Sequence, residues 1–585
     1  MITKLKNILN RVLVAAKTYP LVLISSLITV ILIISLIEYE TKLDEYKVAK
    51  FAICSSLGIA ILFSVKMLSQ RQKREFLWSA LGILFLVGFY FILPTNKDDF
   101  DETFLYILIP TIVLAHLFVS FAAFMISNAE SRFWQYNKNL FINFIVSLIF
   151  TGVLTLGVVL ALLAVQNLFN IKIDDQLYGE TAIFLGIFGN TLIFLLFNGN
   201  GIQDLEQDKE YPDVLKFFTQ FILIPLLLLY VVILYFYSAK ILFSWELPQG
   251  WVSYLILAYA LVGILALLLV HPLKNDSARS WVRIFSNAFY YSLIPLIVLL
   301  FTAIFTRILE YGFTEPRYYV LLLALWLLTV QNYFIFYKKA SIKFIPMSLF
   351  AFGIFALIFP FLNSYSVAIR SQKNQLETLL ESNDLLKDGV INFDNKISDA
   401  DRRSISDKFE FLSLRAEQDY LNKFLPDSLV DKERSGKRIY ISSHFTNVIA
   451  KKNDENRFLN ITNKTKFHNV AEYDFVVNEI QLHQQYLALG SDEFKITKNL
   501  YRNNDEYFIS LKTGEKADLL PLINKLIKKY ENNQGNITAD NLSIQIVLGK
   551  YKIKIVFDQI NRQSYQQEDS YYFENGLVMI KINSK

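Results

Sequence analysis

Eleven long apolar stretches follow one another through the first 363 residues, and short polar loops separate them. A helix needs about 20 mostly apolar residues to cross the roughly 30 Å of hydrocarbon in a bilayer. By that length the candidate spans lie near residues 19–37, 51–69, 77–94, 105–126, 140–168, 181–198, 217–238, 251–271, 287–306, 318–337 and 345–363. The pattern therefore predicts a polytopic α-helical membrane bundle whose sequential helices pack antiparallel.

The polar pattern changes at residue 364. Residues 1–363 contain 48 charged side chains, whereas the 222 residues of 364–585 contain 63. Such a rise in charge density is typical of a chain that leaves the bilayer. We therefore predict a transmembrane helical domain over 1–363 and a soluble domain over 364–585.

Lysine and arginine are distributed unequally between alternate loops. If the N-terminus is cytoplasmic, 17 of them fall on the cytoplasmic side and 8 on the opposite side. Because cytoplasmic loops are enriched in these residues, we predict this orientation in a bacterial inner membrane. Eleven spans then place residues 364–585 in the periplasm, and an error of one span would reverse that placement.

The soluble domain is predicted to have an α+β fold, with helices first and an antiparallel sheet near the C-terminus. Leucines at helical spacing predict a helix over 364–390, and Ser398 resembles the N-cap of a second helix. Asp518 is placed to cap a third helix, which begins at Leu519.

Two hairpins are predicted from alternating apolar residues near the C-terminus. Residues 544–548 and 551–557 alternate on either side of Gly549, which predicts a turn between two half-buried strands. The pair Asn575-Gly576 separates the aromatic residues 571–573 from the apolar run 577–582, which predicts a second tight hairpin.

Polar residues inside the predicted spans are the first candidates for function, because their burial in lipid is costly. These intramembrane candidates are His116, Asn190, His271, Asn287, Gln331 and Asn332. They predict either a polar path with histidine proton carriers or hydrogen bonds that tie neighbouring helices together. The second interpretation is favoured, because no Asp or Glu lies in the middle of a span to complete a relay.

Two acidic loops allow further interpretations. The first outer loop contains Glu38, Glu40, Asp44 and Glu45, which suggests a lipid-linked transferase, but nearby lysines favour a solvated connector. The inner loop 203–213 contains five acids after Asn198-Gly199-Asn200-Gly201 and lacks the order of a calcium or phosphate loop. We expect a flexible cytoplasmic turn or a docking surface for a basic partner.

Other function classes find little support in the sequence. A net charge of +5, from 58 basic and 53 acidic residues, argues against nucleic-acid binding. The single Cys excludes a disulfide scaffold and an iron–sulfur cluster. His444, His468 and His483 lack metal-ligand spacing, so we expect no metal, cofactor or catalytic residue.

The most distinctive local pattern is the turn RILEYGFTEPRYY, from Arg307 to Tyr319. Opposite charges there are expected to pair across the turn at the membrane boundary. The interfacial candidates in this motif are Arg307, Glu310, Tyr311, Gly312, Thr314, Glu315 and Arg317. Together with the aromatic turn from Trp245 to Tyr254, the motif defines a recognisable segment.

This segment resembles a bacterial family of multi-pass membrane proteins called domain of unknown function 4153. In that family a Tyr-Gly-x-Thr-x-x-Arg turn precedes a Trp-containing span, matched here by Tyr311, Gly312, Thr314, Arg317 and Trp326. The resemblance covers roughly residues 10–390. It implies a polytopic envelope protein and brings no known ligand or activity.

The function predicted from these features is that of a non-enzymatic inner-membrane protein. Its bundle would lie in the lipid bilayer and display the periplasmic domain to an envelope protein partner. A transporter with a polar path and a membrane-embedded transferase are the alternatives.

Overall fold

A computed structural model describes most of the chain. The described residues are 2–37, 44–97, 100–126, 129–207, 212–244, 251–271, 280–337, 339–426, 429–430, 438–446, 448–449, 457–464, 469–478, 482, 486–499, 506–529, 535–539, 542–565, 568–574 and 576–582. The chain divides into two compact units. The first is Met1–Asn395 with Arg403–Thr446, and the second is Lys396–Arg402 with Asn447–Lys585.

Long apolar helices make up most of the first unit. They are α1 Ile2–Thr18, α2 Pro20–Ile37, α3 Glu45–Gln72, α4 Glu75–Ile92, α5 Glu102–Phe121, α6 Glu130–Phe169, α7 Asp175–Phe184, α8 Asn190–Phe197, α9 Ile202–Leu205, α10 Asp213–Phe217, α11 Ile224–Ser244, α12 Trp251–Leu269, α13 Ser280–Tyr311, α14 Glu315–Phe336 and α15 Phe344–Ile358. A π-helical turn joins α7 to α8, and another joins α10 to α11. Ten helical segments of the described chain are long and apolar enough to cross a membrane, which confirms the predicted bundle.

The eleventh predicted span is shorter than the others. Helix α15 has 15 residues, a length of about 22 Å at 1.5 Å per residue. The chain after it nevertheless returns to the end of the bundle at which α14 begins. The Tyr318 hydroxyl donates to the Leu362 carbonyl at 2.6 Å, and the Tyr319 hydroxyl lies 3.1 Å from Ser364 Oγ. Residues 359–363 therefore complete the passage through the bundle that α15 begins.

One end of the bundle is formed by the start of α2 and by the loops predicted to share its side. We call it the entry end. Here the Tyr19 hydroxyl donates to the Asn198 carbonyl at 2.6 Å. Arg71 Nε donates to the Ala123 carbonyl at 3.2 Å. These bonds join the segment before α2 and the ends of α3, the α5 span and α8.

The opposite end, where the chain continues into the segment after α15, is the exit end. Here Lys50 Nζ donates to the Leu93 carbonyl at 3.2 Å, and the Tyr319 hydroxyl donates to the Tyr106 carbonyl at 2.6 Å. Alternate loops thus lie at opposite ends, as expected for helices that alternate in direction.

Residues 364–395 and 403–446 continue the first unit beyond the apolar helices, whereas residues 396–402 belong to the second unit. Over 364–446 the helices and strands of the first unit are α16 Ser364–Ser382, β1 Leu386–Lys387, β2 Val390–Ile391, α17 Asp399–Ser413 and α18 Gln418–Leu421, and the first turn of α17 lies in the second unit. The helix predicted over 364–390 is confirmed only to Ser382, because Leu386 and Lys387 pair with the strand after Gly389. The predicted cap is present, since Ser398 Oγ accepts from the Asp401 N–H at 3.1 Å.

The compact unit that contains the bundle extends to Thr446, well past residue 364. Residue 364 therefore marks a change in composition and not the limit of this unit. That the chain leaves the bilayer there stays a prediction.

The second unit is built mainly of antiparallel sheet. Its strands are β3 Ile397–Ser398, β4 Val448–Ile449, β5 Arg457–Asn463, β6 Phe475–Asn478, β7 Leu487–Leu489, β8 Asp492–Asn499, β9 Glu506–Leu511, β10 Lys516–Asp518, β11 Gly535–Ala539, β12 Ser543–Leu548, β13 Tyr551–Val556, β14 Gln559–Tyr565, β15 Glu568–Glu574 and β16 Leu577–Ile582. Among the described residues the larger sheets have the orders β10-β9-β8-β7, β11-β5-β14-β15 and β12-β13-β16-β6. Helix α19, Leu520–Lys528, buries Ile523 and Ile527 in the core of this unit.

One predicted hairpin is confirmed and the other is wrong. Strands β12 and β13 pair antiparallel with Leu548 opposite Tyr551, and Gly549 has the left-handed φ of +57° that the turn requires. Strand β15 pairs with β14, whereas β16 pairs with β13 and β6. The strands on either side of Asn575-Gly576 thus belong to different sheets, and Asn575 itself lies outside the described residues.

Candidate functional site

The turn between α13 and α14 brings the motif residues together at the exit end. Gly312 has φ +73°, and its N–H donates to the Ile308 carbonyl at 2.8 Å, so a left-handed residue ends α13. Arg317 donates to the carbonyls of Tyr311 at 3.2 Å and Gly312 at 2.8 Å. A cation at these last carbonyls is favourable for the dipole of α13. Thr314 occupies the N-cap position of α14.

The aromatic residues of the motif hold the same turn in place. The Tyr311 ring lies under two guanidinium groups, with centroid distances of 5.7 Å to Arg307 and 5.3 Å to Arg317. Trp326 is buried and donates from Nε1 to Ser348 Oγ at 3.0 Å, which ties α14 to α15. The residues that match the family motif therefore determine the α13–α14 turn and the contact between α14 and α15.

Glu315 does not pair across the turn as the sequence suggested. It lies 1% exposed and accepts two hydrogen bonds from Arg415, at 2.7 Å from Nε and 2.8 Å from Nη2. Arg415 is itself buried, packs over the Phe411 ring at 3.4 Å and donates from Nη1 to the Phe411 carbonyl. Glu310 is exposed on the last turn of α13.

Helix α16 covers the other side of this turn. Gln372 Nε2 donates to the carbonyls of Tyr311 at 3.0 Å and Phe313 at 2.7 Å. Ser371 Oγ accepts from the Phe313 N–H at 2.8 Å. A Cβ at Gly312 would lie 2.9 Å from both polar side chains, so the glycine is required for this approach. The α13–α14 turn is thus enclosed by residues that follow the last apolar helix.

Two of the six intramembrane candidates meet in one cavity of the bundle. His116 on α5 and Asn190 on α8 line a space of about 490 Å³ together with Ser120, Asn137 and Thr191. Its other walls are aliphatic and phenylalanine side chains of α2, α3, α5, α6 and α8. A volume of about 300–1,000 Å³ with mostly apolar walls and a few polar groups is typical of small-molecule sites.

The other four intramembrane candidates do not extend this cavity into a path. Gln331 Nε2 donates to the Tyr290 carbonyl at 3.0 Å, which ties α14 to α13. Asn332 Nδ2 donates to the Leu328 carbonyl of its own helix. His271 Nε2 lies 3.5 Å from Glu130 Oε1 at the entry end, and Asn287 is exposed on α13.

The inner loop after Asn198 is packed against the bundle as far as Gln207. Asn139 Nδ2 donates to the carbonyls of Leu205 at 2.8 Å and Gln207 at 3.0 Å. Glu206 forms an ion pair with Arg71. This part of the loop is therefore held against the bundle and is not the flexible turn that was one of its two expected forms. Its other expected form, a docking surface for a basic partner, stays a prediction, and residues 208–211 lie outside the described residues.

Several buried polar residues were missed by the sequence reasoning. Asn143 Nδ2 donates to Asn198 Oδ1 at 2.8 Å, and both side chains are buried. Both amide atoms of Gln220, in the π-helical turn before α11, are buried without a partner in the described part of the chain. Each is a polar residue within or beside an apolar run, so the rule that selected Asn190 would have found them.

The remaining candidates are partly outside the described residues. Glu38 and Glu40 of the first outer loop, His468 and His483 are not described, nor are residues 245–250 of the aromatic turn. Asp44 caps α3, accepting from the N–H groups of Tyr46 at 3.1 Å and Lys47 at 3.4 Å. Within the described ranges no three His, Cys, Asp or Glu side chains are grouped to hold a metal ion.

Fold and site together define a polytopic α-helical membrane protein with a C-terminal α+β region. A family model described as a domain of unknown function, DUF4153, matches residues 14–388. The chain therefore belongs to this family, as the motif around Gly312 indicated.

The chain is similar in sequence to an uncharacterized protein of Pasteurella multocida. It is 31% identical over 271 residues, which are 46% of this chain and 44% of the relative. The match thus spans less than half of that protein's length. No solved structure matches the chain.

Proposed function

We propose that this protein is a scaffold of the bacterial inner membrane that presents its C-terminal unit to an acidic envelope partner in the periplasm. The bundle would serve as the anchor. Residues 364–395 and 403–446 would form a fixed mount on the bundle, and the chain continues from this mount into the second unit.

The observation that carries this proposal is the buried Glu315–Arg415 pair. It joins the first turn of α14 to a residue 100 positions later, and both side chains are shielded from water. Breaking a buried pair is costly, because the remaining charge is left uncompensated. An end of the bundle held in this way suits a rigid mount better than a gate that must open.

The chemistry of the partner is suggested by a row of residues across the β12-β13-β16 sheet. Val547, Lys552 and Lys581 lie directly opposite one another on these three strands. Val547 is 66% exposed, and neither lysine has an ion-pair partner among the described residues. Like charges directly opposite each other destabilise a sheet. An acidic surface docked against Lys552 and Lys581, which we call the lysine row, would therefore relieve the repulsion between these two charges.

The two alternatives have less support from the described residues. A transporter with a polar path would need its intramembrane polar groups to connect, and Gln331 and Asn332 instead bond to helix carbonyls. A transferase would need free carboxylates in the first outer loop, and Asp44 is used as a helix cap.

A photo-crosslinking amino acid at Val547 in living cells tests the proposal. We expect the same envelope protein to be captured in independent experiments, and the yield to fall when Lys552 and Lys581 are changed to Glu. Lys525→Glu, which reverses an exposed charge on α19, is the matched control and should leave capture unchanged.

A crosslinker at exposed Thr513, in the turn between β9 and β10 of a different sheet, controls for capture by mere proximity. If position 547 captures nothing beyond position 513, and deletion of residues 447–585 has no effect on the cell, the proposal is wrong.

A further inference from the structure

The cavity between α5 and α8 has a polar side whose hydrogen bonds are only partly used. Asn137 is fully satisfied, since its Oδ1 accepts from Ser120 Oγ at 2.7 Å and its Nδ2 donates to the carbonyls of Ser120 and Phe133. Asn190 Oδ1 accepts from Thr151 Oγ1 at 3.3 Å, and its Nδ2 has no partner among the described residues. Asn190 Nδ2 is therefore a hydrogen-bond donor available to a ligand in the cavity.

His116 offers the complementary group. Its Nδ1 lies 2.9 Å from the Ile112 carbonyl, which only accepts, so Nδ1 carries the proton in this bond. In the neutral ring Nε2 is then an acceptor, and no described residue donates to it. One wall of the cavity therefore presents an acceptor and another presents a donor.

The cavity contains no charged side chain among the residues that line it. An anionic or cationic headgroup would have to leave water without a compensating charge, which is costly in an apolar site. A hydroxyl group carries no charge and both donates and accepts. It would satisfy His116 Nε2 as a donor and Asn190 Nδ2 as an acceptor.

The depth of the cavity favours a ligand that partitions into lipid. Asn190 lies seven residues before the end of α8, which is about 10 Å below the entry end at 1.5 Å per residue. His116 lies five residues before the end of α5, a similar depth of about 8 Å. The π-helical turn that immediately precedes Asn190 is a feature often found at functional sites.

We propose that this cavity binds an uncharged lipid alcohol, with its hydroxyl between His116 and Asn190 and its apolar chain against the phenylalanine and aliphatic walls. A polyprenol and a diacylglycerol share this chemistry. The site is separate from the lysine row of the second unit, so either proposal can fail alone.

Photoaffinity labelling of the full-length protein in lipid nanodiscs tests the site. The probes are diazirine derivatives of a polyprenol, a diacylglycerol and a phosphatidylglycerol, and mass spectrometry locates the labelled peptides. We expect at least one alcohol probe to label the peptides of α5 and α8 saturably, and the unlabelled alcohol to compete. The probe that labels identifies the source of the alcohol.

The variants Asn190→Leu and His116→Phe should each weaken that labelling about fivefold, the effect of one lost hydrogen bond. Asn332→Leu, which removes an amide bonded only to its own helix, is the matched control and should bind like the parent. Ala60→Leu fills part of the cavity without removing a polar group and should also reduce labelling. Because the substitution sites lie on different helices, a folding defect in one variant leaves the other two to decide.

Equal labelling by the phosphatidylglycerol probe, unchanged by all three cavity variants, would show that bulk lipid fills the space and would overturn the proposal. So would labelling confined to helices remote from the cavity.

Discussion

Glu315 and Arg415 form a bidentate ion pair that is almost completely buried, at 2.7 and 2.8 Å, although 100 residues separate them. Glu315 begins α14, and Arg415 follows α17. The pair therefore fixes the segment after the bundle to the turn that carries the family motif.

Removing one partner of this pair should be strongly destabilising. Glu315→Gln leaves the Arg415 charge buried without compensation, which costs about 3–5 kcal/mol. We expect a lower melting temperature in detergent and faster trypsin cleavage between residues 399 and 426. Replacing both residues by Met should recover much of the loss, because no uncompensated charge remains.

The control is the exposed pair Arg438–Glu410, whose side chains are 45% and 31% exposed. Glu410→Gln should cost about 0–1 kcal/mol, as for other surface pairs. If Glu315→Gln lowers the melting temperature no more than Glu410→Gln does, the buried pair does not fix the mount to the bundle.

Two glycines of the inner loop should respond differently to alanine. Gly201 has φ +68°, and a Cβ there would lie 2.1 Å from Gln70 Oε1, which accepts from the Ile202 N–H. We expect Gly201→Ala to cost about 1–3 kcal/mol and to expose the loop to protease. At Gly199 the nearest atom to a Cβ would be 3.7 Å away, so Gly199→Ala should be tolerated. Equal melting temperatures for the two variants would contradict this.

The elements that the sequence predicted correctly are those determined by residues close to one another in the chain. The apolar runs predicted the membrane helices, alternation around Gly549 predicted the β12–β13 hairpin, and Ser398 predicted the start of α17. Each of these depends on residues within a few positions of one another in the chain.

The features that were missed depend on distant partners. Nothing near Glu315 indicates Arg415. The inner loop is held against the bundle as far as Gln207, because Asn139 of α6 donates to two of its carbonyls. Asn575-Gly576 has the composition of a tight turn, but which sheet a strand joins depends on its neighbours in space. For the same reason His116 and Asn190 could be selected as polar residues, and only the structure brings them into one cavity.

The second unit should lose stability in acid through Asp492. Hydrogen bonds from the Tyr551 hydroxyl, Lys550 and Ser491 lower the pKa of Asp492 below its usual 3.8. A lowered carboxyl pKa stabilises the fold above the unfolded pKa, and this stabilisation is lost as the pH falls through the folded pKa. We expect protection of β8 and β13 amides from hydrogen exchange to fall below about pH 4.

Two variants that each remove one negative charge from β8 test whether the acid dependence belongs to Asp492 in particular. Asp492→Asn should flatten the acid dependence in these two strands, whereas Glu493→Gln, at the next position of β8, should keep it. The same contact raises the pKa of Lys550, so its contribution is present below about pH 10.5 and is lost at higher pH. An acid profile that is identical in Asp492→Asn and the parent would contradict the assignment.

The orientation of the chain can be measured with single cysteines, because Cys54 is the only natural one and is buried. In a Cys54→Ala background, exposed Lys73 after α3, Thr95 after α4 and Thr513 between β9 and β10 would each be changed to Cys. Treating intact cells, with the outer membrane permeabilised, with a maleimide that cannot cross the inner membrane should label positions 95 and 513 and spare position 73. Breaking the inner membrane should make all three react.

The pattern of labelling distinguishes two ways in which the predicted topology could be wrong. Labelling of position 73 alone would mean that the whole chain is inverted, since Lys73 lies at the entry end and Thr95 at the exit end. Labelling of 95 without 513 would mean an even number of crossings, and the short helix α15 would then be the segment that fails to cross. Because Tyr318 bonds Leu362 at the exit end, we expect position 513 to react together with position 95.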